Sequence, residues 1–335
     1  MRPGWGWSLL LLSGALLAAT AMGETALPFG QVLKVLANQL AGAHYPLDPI
    51  DVGIVWNYRL PRALVAAACG AGLAICGVIL QALLRNPLAE PYLLGISAGA
   101  STGAVLVSVL GIGGGLISLS VGSFLGALLA FTLVIVLARA SRASGSAGLI
   151  ILAGIASSQL FNALTAFVIA RSANAEQARG ILFWLMGNLS GVRWPAVALA
   201  VPVALLGLGV CWWQRRALDA FTFGADSAAS LGVSVRQLQV LLMTCAALVT
   251  AVMVSLVGSI GFVGLVIPHA VRLRVGPGHG LLVPLSALAG AVFLMAADVL
   301  SRQLIKGQAL PIGVITALVG APVFAALLLH GSHRR

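Results

Sequence analysis

Residues 59–100, RLPRALVAAACGAGLAICGVILQALLRNPLAEPYLLGISAGA, carry two apolar blocks of near-spanning length around a short polar knot. The knot runs from Gln81 to Pro91 and holds Arg85, Asn86, Pro87, Glu90 and Pro91. A chain apolar on both sides of such a knot leaves its apolar surroundings once, turns at one face and re-enters. Asn86 and Pro87 are read as that structural turn. Pro268 and His269 are read as a second one, opening the segment IPHAVRLRVGPGHG.

Composition says what the apolar surroundings are. Of 335 residues, 60% are hydrophobic and 8% charged, where a soluble domain carries about a quarter charged. A spanning helix takes roughly 20 apolar residues, and the chain divides into about ten such blocks. Hydrocarbon offers the backbone no hydrogen-bond partner, and barrel-type alternation is absent. The expectation is an all-α, polytopic membrane protein, one domain over residues 1–335. Small-residue clusters such as Gly70-Ala71-Gly72 and Gly95 to Gly103 suit close helix packing. The net charge of +11 is scattered between apolar blocks, which fits loop orientation and not nucleic acid. Cys69, Cys76, Cys211 and Cys245 lie inside apolar blocks without metal-ligand or CxxC spacing, so buried, inert thiols are expected.

The expected spans are 5–23, 60–84, 92–112, 116–138, 148–170, 194–213, 238–257, 260–274, 281–300 and 311–330. The first has the layout of a cleavable signal peptide but is long enough to span, and an uncleaved span is the reading taken. Residues 24–58 form an outer loop with helix around Phe29 to Leu40. Gly180 to Val192 reads as an outer half-helix or re-entrant piece. Residues 217–237 make the longest inner connection, with Asp226 as helix N-cap and Gly232 as the residue past its end. A helix displayed there is a docking surface for a partner. Spans two to five and seven to ten can form an inverted repeat, with GISAGA against SALAGA as its faint sequence echo.

Catalytic chemistry is missing. The two lysines, Lys34 and Lys306, follow Leu33 and Ile305, so no phosphate-cradling Gly-Lys loop exists. Of the acidic residues only Asp298 sits late in a span. That leaves little for an ion-coupled secondary transporter, which usually needs acids at mid-membrane depth. An intramembrane enzyme would need a catalytic pair or metal cluster within the spans, and none is visible. No cofactor and no resident metal are expected; His269 and His279 read as structural or partner-contacting.

Several segments resemble the FecCD-type permeases of binding-protein-dependent ABC importers for ferric siderophores, haem and cobalamin. They are RLPR (Arg59 to Arg62), QALLRNPLAEP, LLGISAGA (Leu93 to Ala100), FWLMGNLSG (Phe183 to Gly191), LGVSV (Leu231 to Val235), GSIGFVGLVIPHAVR (Gly258 to Arg272), ADVLSR (Ala297 to Arg302) and LPIGVITALVGAPVF (Leu310 to Phe324). They stand in the family's order from about residue 55 to the end.

The resemblance implies a type II ABC importer permease fold in the inner membrane, with ten spans and both termini cytoplasmic. It also implies a second copy of the chain, two copies of a cytoplasmic ATPase, a periplasmic substrate-binding protein and a lipid surround. Arg59, Arg62 and Arg302 match outer-face arginines that meet carboxylates of the binding protein, and Asp298, one turn before Arg302, is placed to orient it. Asp226, Ser227, Ala228, Ala229, Ser230, Leu231 and Gly232 match the segment seated in the ATPase. Ser144, Gly145, Ser146, Ala147 and Gly148 match the cytoplasmic gate, here built only of small residues. Ferric siderophore is the first expectation for cargo, haem the second and cobalamin the third.

Overall fold

The computed structural model describes residues 5–23, 25, 27–111, 118–140, 147–172, 174–305 and 308–332. These form helices and connections, with no strand among the described residues. In chain order α1 is Trp5–Ala21, α2 Phe29–Ala41, α3 Pro49–Val52, α4 Leu60–Leu83 and α5 Ile96–Leu110. Next come α6 Leu119–Ala140, α7 Ala147–Ser172, α8 Ala175–Leu185, α9 Trp194–Trp213 and α10 Arg215–Phe221. The chain continues with α11 Ala225–Ser230, α12 Val235–Val257, α13 Val263–Val275, α14 His279–Gln303 and α15 Ile312–Ser332.

Among the described residues, 6 helices are long and apolar enough to cross a membrane: Pro49–Leu83, Leu119–Ala140, Gly148–Arg171, Trp194–Trp213, Val235–Val257 and His279–Gln303. Gly6–Ala21, Ile96–Leu110 and Ile312–Leu327 are shorter apolar helices. The first of the six corrects the expected outer loop, because its last part is helix. The π-helical stretch Gly53–Arg59 fuses α3 to α4. Pro61 has no N–H to give the preceding turn, and the wider register in front of it takes up the gap, with Leu60 N–H reaching Val55 O. α2 is amphipathic and seats Val32 and Val35 on Val55, a small core of its own beside the bundle.

α4 is the central helix, buried along most of its length, and packs against α9, α12, α13 and α14. Backbones meet where side chains are missing. A Cβ on Gly77 would strike the Gly264 backbone of α13, and one on Gly70 the Gly290 backbone of α14. Small residues permit this approach, which lipid-buried helices use in place of hydrophobic driving force. Cys69, Cys76 and Cys211 are buried and Cys245 half-buried, all as free thiols.

The second expected turn is also corrected. Pro268 and His269 lie inside α13, and the chain turns later, around Gly276 to Gly278. A proline inside a helix orphans the carbonyl four residues back, here Gly264 O. Gln81 Nε2 of α4 donates to it at 3.1 Å, and to Leu265 O at 3.3 Å. A side chain from another helix therefore replaces the missing donor, and the helix continues.

GISAGA lies on α5 and SALAGA on α14, the third and ninth of the expected spans, which do not correspond in a two-to-five against seven-to-ten repeat. The third and eighth, α5 and α13, do correspond and share a form. Each is short, and each follows a break that ends in a left-handed residue, Gly95 (φ 70) or Phe262 (φ 68).

Candidate functional site

One end of the bundle is organised by arginines. Arg62 Nε donates to Asp298 Oδ1 at 2.8 Å. Arg302 Nη2 stands 3.0 Å from Asp298 Oδ2, an i,i+4 contact along α14. Arg62 also reaches Tyr58 Oη at 2.7 Å and Ser190 Oγ at 3.2 Å. Arg302 donates to Met22 O at 2.9 Å and Ala19 O at 3.2 Å, while Arg59 donates to Ala21 O at 2.8 Å and to Thr25 O. These guanidiniums thus serve the carbonyls at the end of α1, which have no partner within that helix.

Arg59, Arg62 and Arg302 are each 2% exposed, and Asp298 is fully buried. The exposed basic fork suggested by the sequence is therefore absent from this conformation. Arg193 is exposed at the same end, and Tyr58 lies between it and Arg62, with the guanidinium carbons 5.2 and 5.7 Å from the ring centre. Sequence reasoning missed Tyr58, Ser190 and Arg193. Tyr58 had a signal, since it precedes Arg62 by one helical turn.

Midway along α4 the broken helices meet. Ser97 Oγ, in the first turn of α5, donates to Ser259 Oγ at 3.0 Å. Glu90, in the connection between α4 and α5, accepts from the Phe262 backbone N–H at the start of α13, yet burial pushes its carboxyl up to about 7. Asn188 N donates to Val257 O at 2.8 Å, and Ile312 and Gly313 N–H go to Gly187 and Met186 O, both at 2.9 Å. The expected half-helix is α8, opened by an Asn174–Gln177 capping box. It ends at Leu185, and the rest of the expected stretch is the irregular part of this junction.

The other end of the bundle carries α10 and α11. Asn86 and Pro87 sit in the turn there, where Asn86 Oδ1 accepts from Leu88 N at 2.9 Å. Asp219 of α10 takes the His279 N–H at 2.8 Å and stands 2.7 Å from its Nδ1, tying α10 to the start of α14. The N-cap of α11 is Gly224 (φ 110), and Asp226 lies one residue inside the helix. That corrects the expected cap; the acid still faces the positive end of the helix. At the far end Gly232 (φ 83) allows Gly232 N–H to reach Ala229 O at 2.9 Å and Val233 N–H to reach Ala228 O at 3.0 Å. This is the Schellman arrangement. Ala228 is buried, whereas Phe223 and Leu231 are 77% and 71% exposed. A six-residue helix built at both ends and flanked by two bare apolar side chains presents a contact surface.

Of the expected gate, Ser144, Gly145 and Ser146 lie outside the described residues. Ala147 and Gly148 begin α7, and a Cβ on Gly148 would meet nothing within 4 Å. Among the described residues no group of His, Cys, Asp and Glu could hold a metal ion.

A family profile described as the FecCD transport family matches residues 9–330. The cobalamin import system permease BtuC of Halobacterium salinarum is 43% identical over 279 residues, covering 82% of this chain and 73% of that protein. The hemin transport system permease HmuU of Yersinia pestis is 36% identical over 339 residues, covering 98% and 96%. A solved inward-facing conformation of a metal-chelate type ABC transporter superposes with TM-score 0.83 at 30% identity, over 96% of this chain and 97% of that one.

Proposed function

The chain belongs to the FecCD transport family, and on that premise we propose that it is the membrane-spanning permease of an ABC importer whose energy comes from a separate ATPase. The observation that carries the reading is α11, with Phe223 and Leu231 exposed beside it at the end of α14 opposite Arg302. From His279 to Arg302 the helix is about 35 Å long at 1.5 Å per residue. Force applied at α10 reaches α14 through the Asp219–His279 contact and can be carried to the broken-helix junction and the arginine end. Asp226 to Gly232 seat in the ATPase, which hydrolyses ATP; this chain hydrolyses none.

Ten crossings are supported when α1, α5, α13 and α15 join the six long helices, since short helices broken inside the bundle cross in two pieces. An even number places both termini on one side, taken as cytoplasmic. A second copy of the chain completes the path along a two-fold axis, and residues 144–148 close it at the inner face. The binding protein docks at the arginine end. There Arg59, Arg62 and Arg302 provide positive charge from beneath, and Arg193 provides it at the surface. Lipid surrounds the assembly in the inner membrane.

The cargo is a large metal chelate of the haem, cobalamin or ferric siderophore class, with ferric siderophore placed first. The test is uptake into proteoliposomes holding the permease and its ATPase, with the cognate binding protein and each cargo in turn. Uptake of one cargo that needs all three proteins is expected. Uptake without the ATPase, driven by an ion gradient, would replace this reading with a secondary transporter.

A further inference from the structure

Beside α10, at the end of the bundle away from the arginine cluster, lies a cavity of about 320 Å³ lined by Gln81, Arg85, Thr222, Arg272 and His279 among others. That volume falls at the lower end of the roughly 300–1,000 Å³ range of ligand sites. None of the ion pairs among the described residues involves Arg85 or Arg272. Two buried side chains lining the cavity, Gln81 at 4% and His279 at 2% exposure, each keep one polar atom without a partner. Buried polar groups are nearly always paired, so two such atoms beside two unpaired guanidiniums point to a ligand.

Its chemistry follows from the donors and acceptors. Arg85 and Arg272 offer planar forks suited to phosphate oxygens. Asp219 holds His279 Nδ1 at 2.7 Å, which leaves Nε2 free to meet a ligand, as an acceptor in the neutral ring and as a donor in the charged one. Gln81 works the other way. Its Nε2 is held by Gly264 O and Leu265 O, so the amide cannot flip and Oε1 remains an acceptor. A bare anion would leave that acceptor facing like charge, whereas a hydroxyl would satisfy it.

We propose that this cavity binds a phosphate ester bearing a free hydroxyl, with phosphoglycerol as the type, either in a lipid headgroup or as a soluble ester. Its lining includes Ala82 in the last turn of α4, Arg272 in the last turn of α13 and His279 at the start of α14. That places it at the depth of the membrane–water interface, where basic pockets between helices take lipid headgroups. The site does not depend on the transport reading, since headgroups line both faces of a membrane.

The experiment uses full-length permease purified with equal phosphatidylglycerol and phosphatidylcholine and analysed by native mass spectrometry. sn-Glycerol 3-phosphate and inorganic phosphate serve as soluble probes. Wild type is expected to retain phosphatidylglycerol about tenfold over phosphatidylcholine, and the Arg85→Gln, Arg272→Gln double variant to lose that preference. Binding of glycerol phosphate alone would support the same chemistry with a soluble source. If the double variant fails to insert, Arg85→Gln, at an exposed position, carries the test. The proposal is overturned by equal retention of both lipids without binding of glycerol phosphate, by a preference that survives the substitutions, or by inorganic phosphate matching glycerol phosphate. A cavity filled only by acidic side chains of an assembled ATPase would also overturn it.

Discussion

The two ends of α14 use similar side chains to opposite effect. At Asp298 and Arg302 the charges are buried and matched within the chain, by Arg62 and by carbonyls at the end of α1. At His279 the polar groups are only half matched. Asp219 holds one ring nitrogen, while the other nitrogen and Gln81 Oε1 have no partner. Beside them Phe223 and Leu231 are bare. At the Asp298 end the ionic partners come from within the chain; at the His279 end part of the polar groups and two large apolar side chains are left without one.

The largest expected effect tests the completed end. Asp298→Asn keeps the shape and removes the charge between two buried guanidiniums. Breaking a buried ion pair typically costs about 3–5 kcal/mol. Thermal unfolding of the detergent-solubilised variant is expected well below wild type. Unchanged stability would mean that this end is not held by its charges.

A smaller effect belongs to the junction between the ends. The folded protein holds the Glu90 proton up to about pH 7, against an ordinary 4.5. The folded state therefore binds more protons than the unfolded one between those values, and stability falls as pH rises through that window. At 1.36 kcal/mol per pKa unit the full span is about 3 kcal/mol. Glu90→Gln is expected to flatten the wild-type decline in melting temperature between pH 5 and 7.5. A variant that retains the same slope would place the titrating group elsewhere.

Smaller again is Gln81→Leu, which orphans Gly264 O beside Pro268 and should cost about 1–3 kcal/mol. Proteolysis or hydrogen exchange localised to α13 reads it. Protection equal to wild type would show that α13 does not need the borrowed donor.

Much of this was legible in residues. Apolar blocks announced the bundle, and the spacing of Asp298 and Arg302 announced their pairing. Gly232 announced the end of α11, because a left-handed position there favours glycine. What stayed hidden depended on partners distant in sequence. Pro268 looked like a turn because nothing local shows that Gln81 supplies the missing donor. Arg59, Arg62 and Arg302 looked like a surface because the end of α1, which Arg59 and Arg302 serve, and Asp298, which Arg62 meets, stand far from them in the chain. Asp226 looked like a cap because its type favours that position, but Gly224 occupies it with a backbone conformation that suits glycine.

The account rests most directly on the bare end. Phe223→Asp with Leu231→Asp leaves the spans, the Schellman end of α11 and the Asp219–His279 contact in place, and replaces the two exposed apolar side chains with charge. Co-purification of the cognate ATPase with full-length permease measures the result. The account predicts that the double variant inserts and melts like wild type but no longer retains the ATPase. A double variant that retains the ATPase at the wild-type level would contradict it.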